Sequence, residues 1–184
     1  TPSSAASDVY KRQVQIQRIE VWVTNRTNDF NETRNVIAFS DLGEVNPNVL
    51  ENPIWQSGAY NLPVNNHNSL YQTFQNNGNI RNYVNASNEL SGPNYNMEQS
   101  VEYENLENAR LLSSNEYTYN AVLGFISLNQ SLNNDEVLGV AYQYTYNGQT
   151  YQVGELSTDG ISGQNALYLK LLKSTVRNPI KKLW

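Results

Sequence analysis

The chain has 184 residues, a net charge of −5 and a pI near 4.9, which supports a single well-filled domain and argues against a nucleic-acid partner. It contains no cysteine, so a disulfide framework and a thiolate metal site are both excluded. Only 16% of residues are charged against 39% apolar, and 29 asparagines supply much of the remaining polarity, an ordered composition with an amide-rich surface.

The opening stretch TPSSAASDVY is polar, and residues 1–13 are expected to form a flexible N-terminal segment. From Val14 the sequence VQIQRIEVWVT alternates with period two, the pattern of a half-buried strand. Its phase slips between Ile16 and Ile19, which predicts a bulge near Arg18. Residues 35–42 make a second strand, and the polar stretch from Thr24 to Arg34 reads as their connection, with Asp29 or Glu32 pairing with Arg26 or Arg34. Residues 43–66 are punctuated by Gly43, Pro47, Pro53, Gly58 and Pro63 and read as loop.

The most helical part follows. Asn68 is placed to cap SLYQTF, with a stop at Asn77-Gly78, and a second short helix is expected from Ile80 to Leu90. Strands dominate after Val101. GFISLN (124–129) and VLGVAYQYTY (137–146) are rich in β-branched and aromatic residues, and Asn147-Gly148 predicts a type I′ hairpin. That turn sets Tyr144 opposite Tyr151 and Tyr142 opposite Val153 on a buried face, with Thr145/Thr150 and Gln143/Gln152 on the wetter one. A last strand is expected within ALYLKLLK. The fold class predicted is α+β: a mainly antiparallel sheet with two short helices from the middle of the chain packed on one face. Residues 14–175 are expected to form this single domain. The basic residues Lys170, Lys173, Arg177, Lys181 and Lys182 suggest a solvated C-terminal end, and 176–184 is expected to be a tail leading to the rest of a longer chain.

Chemical motifs are sparse. The single His67 sits in NNHNS and is expected at the surface; neither HExxH nor a Gly-rich phosphate loop occurs. Glu102, Glu104 and Glu107, or Asp135 with Glu136, could in principle pair as acid and base, and Asn133 to Glu136 is an oxygen-rich turn without the EF-hand spacing. An ordinary edge strand and an Asx turn account for both. No catalytic, cofactor-binding or metal residue is assigned, and no cofactor is expected. Thirteen Tyr and three Trp also raise a sugar-stacking platform, though the hairpin register reads those tyrosines as core.

Three stretches, in this order, resemble the SprA (Sov) family: RIEVWVTNRTND with TRNVIAFSDLGE (18–44), the segment from ENARLL to YQVGEL (107–156), and ALYLKLLKST (166–175). That resemblance implies the outer-membrane translocon of type IX secretion and gliding motility in Bacteroidetes, a very large β-barrel. A piece of this length would be a soluble insertion or module of it, periplasmic or at the cell surface, without a transmembrane segment of its own. It implies no catalytic residues. Its partners would be other parts of the same outer-membrane protein, a porin-like translocon subunit and secreted client proteins, met through an exposed aromatic patch for which Trp22, Trp55 and Tyr95 are the candidates. The alternative reading is a carbohydrate-binding or adhesin module of a secreted bacterial surface protein.

Overall fold

The computed structural model describes residues 14–27, 32–55 and 61–176. The expected segment 1–13, Asp29, and the tail beyond Val176 lie outside the described residues. The elements in chain order are β1 (Gln15–Val23), β2 (Thr33–Phe39), α1 (Ser69–Phe74), α2 (Gly78–Arg81), α3 (Tyr83–Ser91), β3 (Tyr103–Leu111), β4 (Tyr117–Asn120), β5 (Phe125–Leu128), β6 (Leu138–Tyr146), β7 (Gln149–Val153) and β8 (Leu167–Lys173).

The sheet closes on itself, which corrects the α+β expectation. β6 pairs with β1 along one edge, from Gln15 opposite Thr145 to Val23 opposite Leu138. Its other edge is divided between β8, along Leu138–Val140, and β7, along Tyr142–Tyr146. β1 reaches β3 through Trp22 and Val23, β3 pairs antiparallel with β2, and β2 pairs parallel with β8. The ring β1–β3–β2–β8–β6 is therefore a closed five-stranded barrel, and β4–β5 forms a separate two-stranded sheet. Strands hold 36% of the described residues and helices 16%, so the helices decorate a β architecture rather than make a second layer.

Register breaks lie where the strands must bend: between Ile16 and Arg18 in β1, between Arg34 and Val36 in β2, and between Leu138 and Gly139 in β6. The first is the predicted bulge. Closure buries both faces of several strands; Val36, Ile37, Ala38 and Phe39 are all buried, although they point to alternate sides. One set of side chains fills the barrel interior: Trp22, Val36, Ala38, Leu106, Ala141 and Leu169 belong to it. A Cβ built on Gly139 would lie 3.5 Å from that of Ala38, two strands away, a meeting possible only across the interior. Ala and Gly suit so narrow a lumen. The opposite faces, with Val21, Phe39, Tyr103, Tyr142 and Tyr168, form a second cluster covered by residues of the helices and loops such as Trp55, Leu70, Phe74, Ile80 and Leu90.

The helices are short and begin on asparagine. The Asn68 carboxamide oxygen accepts from Leu70 N, that of Asn77 from Asn79 N and Ile80 N, and that of Asn82 from Val84 N. Asn77 thus starts α2 rather than ending α1, and the single helix expected over 80–90 is broken at Asn82 into two. Their attachment to the barrel is polar as well as apolar. Arg81 donates to both carboxylate oxygens of Glu155 at 2.6 Å, to the Ala166 and Gln75 carbonyls, and lies 3.8 Å over the Tyr168 ring. Glu155 also accepts from Tyr71 Oη and Tyr168 N.

The β6–β7 hairpin has the predicted register, with Asn147 and Gly148 both at positive φ. Tyr144 stacks on Tyr151 with ring centroids 5.3 Å apart, and Tyr144 Oη donates to Pro63 O. Lys170, expected among solvated basic residues, is buried instead. Its ammonium donates to Ser40 O at 2.7 Å and pairs with Glu44 at 3.2 Å.

Candidate interaction surface

Of the aromatic residues proposed for a partner surface, Trp22 and Trp55 lie in the core and Tyr95 packs half-buried against it. Trp22 is 1% exposed and inside the barrel, with its indole N–H donating to Glu20. Trp55 is 4% exposed and meets Phe74 edge-on at 5.3 Å; Tyr95, half-buried, meets the same ring edge-on at 4.9 Å. Trp55 and Tyr95 both pack on Phe74 of α1, and Trp22 belongs to a different cluster. The three form no common exposed patch, because large aromatic surfaces are drawn into the interior of a small barrel and its wrapping.

The remaining sequence candidates resolve individually. His67 is buried, against the surface expectation, and burial lowers its pKa below 6.5, an effect that the Val45 backbone and the Glu44 charge oppose only in part. Glu102 and Glu104 are both buried but serve separate places: Glu102 accepts from Glu98 N, while Glu104 accepts from Thr175 N and Oγ1. Glu107 is exposed. The turn at Asn133 is closed by Glu136, which accepts from Asn133 N and Nδ2, and Asp135 faces outward to Arg26 at 2.9 Å. Arg26 thus reaches across to another loop. Arg34 donates to the carbonyls of Ile161, Ser162 and Asn165.

What does emerge at the surface is the tip of the β4–β5 hairpin. Val122 is 82% exposed, Leu123 59%, and Tyr119 and Phe125 44% each, four large apolar side chains within seven residues. The tip is held in shape: Asn120 Oδ1 accepts from Val122 N and Leu123 N, and Asn120 O accepts from Gly124 N. The base is anchored. Tyr117 is buried with its hydroxyl donating to Ile19 O, and Ile126 and Leu128 pack on the outer cluster. Beside it, Arg110 holds both carboxylate oxygens of Glu116, at 2.9 and 3.0 Å, and Glu116 also accepts from Ser113; these bonds outweigh burial and keep the Glu116 carboxyl below its ordinary range. A hollow of about 380 Å3 opens there, lined among others by Val23, Arg110, Leu112, Glu116 and Leu132.

No charged residue occurs between Tyr117 and Asn134. That charge-free run, with AVLGF falling at a hairpin bend rather than within a strand, was the available signal for this surface. Period-two analysis passes over it because it weighs strands and not the turns joining them.

Against known proteins, the chain matches no protein-family model and no curated protein. No helix among the described residues is long and apolar enough to cross a membrane.

Proposed function

We propose that this chain is a non-enzymatic, extracytoplasmic module of a SprA-like outer-membrane translocon, serving as a structural and partner-docking element in type IX secretion and gliding motility. The attribution rests on the sequence resemblance of residues 18–44, 107–156 and 166–175. The docking role rests on one structural observation, the exposed, hydrogen-bonded apolar tip of β4–β5.

Full burial of a Val, Leu or Phe side chain contributes about 1.5–3 kcal/mol, so four such groups on one preorganised loop supply the anchor cluster of an interface. Preorganisation also matters: Asn120 already fixes the turn, and binding loses little further loop entropy. An uncharged tip matches an uncharged apolar cleft, offered by another part of the same outer-membrane protein or by its porin-like subunit.

The test uses the purified chain as bait in outer-membrane extract of a gliding bacterium, with mass spectrometry of the retained proteins. Retention of translocon subunits by the wild type, and its loss in Val122→Asp/Leu123→Asp, is the expected result. Equal retention by both forms removes the hairpin from the proposal. Absence of translocon subunits from the wild-type eluate overturns the attribution to that system.

A further inference from the structure

Three places in the chain put glycine directly after Asn or Asp: Asn77-Gly78, Asn147-Gly148 and Asp159-Gly160. Such pairs are chemically labile, because the unhindered glycine nitrogen can reach the carbonyl carbon of the preceding side chain. The fold separates the three by what holds that side chain. Asn77 caps α2, and its Oδ1 accepts from Asn79 N at 3.1 Å and Ile80 N at 3.3 Å. Asp159 Oδ2 accepts from Leu156 N at 2.8 Å and Gln152 Nε2 at 2.6 Å, and its other oxygen lies 3.9 Å from Arg18. As a carboxylate it is also a poor electrophile.

Asn147 is held by neither device. It stands with Gly148 at the exposed end of the β6–β7 hairpin, at φ 51° and 76°. The bond that closes a type I′ turn runs from Gln149 N–H to Tyr146 O and leaves the Gly148 N–H outside it. Among the described residues, no hydrogen bond engages the Asn147 carboxamide or the Gly148 N–H. A Cβ built on Gly148 would meet nothing within 4 Å, so water reaches the turn freely. Electrophile and nucleophile are adjacent and uncommitted, and the rotation that brings them together opens only the end of a hairpin.

The chemistry needs no partner but water. Gly148 N attacks Asn147 Cγ and forms the N–C bond of a five-membered succinimide. The Cγ–Nδ2 bond breaks, and ammonia leaves carrying the former amide proton. Water then opens the ring at one of its two carbonyls, giving aspartate, or isoaspartate in which the main chain runs through the side chain. Either product adds a negative charge to a turn that has none. Isoaspartate also lengthens a two-residue loop by one backbone carbon, and that loop length sets Tyr144 opposite Tyr151.

We infer that Asn147 is a site of spontaneous conversion to aspartate and isoaspartate, which reacts ahead of Asn77 in the folded chain. It is separate from the β4–β5 tip and independent of the docking role. Ageing the 184-residue chain in mildly alkaline buffer, with peptide mapping by mass spectrometry at intervals, tests it. Two hydrogen bonds must be given up before the Asn77 side chain can turn, so Asn147 is expected to convert about tenfold faster than Asn77. In concentrated urea both pairs lose their structure and are expected to convert at comparable rates. Asn147→Gly keeps a glycine-compatible type I′ turn and is expected to abolish the acidic species formed at this hairpin. Conversion of Asn77 at the same rate as Asn147 or faster in the folded chain overturns the inference. So does a folded chain in which Asn147 stays intact while the urea-treated chain converts.

Discussion

Replacing Arg81 by Met tests whether a buried ion pair fastens the helices to the barrel. The guanidinium and the Glu155 carboxylate are 8% and 1% exposed, and they meet through two bonds of 2.6 Å. Burial disfavours the Arg81 charge, but the bonds and charge of Glu155 more than offset this and hold its pKa above the ordinary value. Methionine fills most of the volume and leaves Glu155 with only the Tyr71 hydroxyl and Tyr168 N–H as donors. Removing one partner of a buried pair typically costs about 3–5 kcal/mol, whereas replacing both by apolar groups is often nearly neutral. In a domain of this size about 1 kcal/mol shifts Tm by roughly 2–4 °C, so Arg81→Met is expected to lower Tm by about 6–20 °C. Arg81→Met/Glu155→Leu is expected to regain at least half of that loss. Urea denaturation of the two single variants and the double variant gives the coupling energy. A single-variant cost below about 1 kcal/mol, or a double variant as unstable as the sum of the singles, would refute the reasoning.

Four further outcomes follow from named geometry. Gly154 stands at φ +75° and a Cβ there would lie 2.9 Å from the Ala141 Cβ; combining backbone strain with overpacking, Gly154→Ala is expected to cost about 2–5 kcal/mol in urea melts. Val122 and Leu123 lie mostly in solvent, and Val122→Asp and Leu123→Asp are expected to leave stability within about 0.5 kcal/mol, measured the same way. Burial raises the Glu102 carboxyl above 4.5, a rise that Asp41 and Glu98 reinforce and that bonds to Glu98 N and Asn52 only partly oppose; its favourable contribution is therefore present below pH 4.5 and lost as pH rises through the folded value. Glu102→Gln should accordingly gain on the wild type at pH 8 relative to pH 4 in denaturation curves. His67 has the opposite sign: its pKa is lowered, so its contribution is present above pH 6.5 and lost on acidification, and His67→Leu should flatten the decline in stability below that pH.

How much of this was legible beforehand varies by residue. The proposed protein surface drew on Trp22, Trp55 and Tyr95 because bulky aromatics anchor interfaces, yet the same bulk makes them the preferred filling of a core. The exposed tip instead uses Val122 and Leu123, ordinary core residues whose placement in a turn denies them a neighbour to pack on. Lys170 was hidden from composition altogether. It alternates with Leu169 and Leu171 as a surface lysine would, and only the folded chain brings the Ser40 carbonyl and Glu44 to it.

By itself the sequence determined what depends on near neighbours. The β1 bulge follows from a slipped alternation, the β6–β7 register from the turn chemistry of Asn147-Gly148, and the start of α1 from the oxygen of Asn68 two residues before the amide it caps. Closure of the sheet was decided only in three dimensions. It depends on β2 lying parallel to β8, more than 120 residues later, and on β1 reaching β3 through Trp22 and Val23. A period-two pattern states which side chains share a face; it does not say whether the sheet's two edges meet, because that is settled by bulges, twist and the small residues that let a narrow lumen fill.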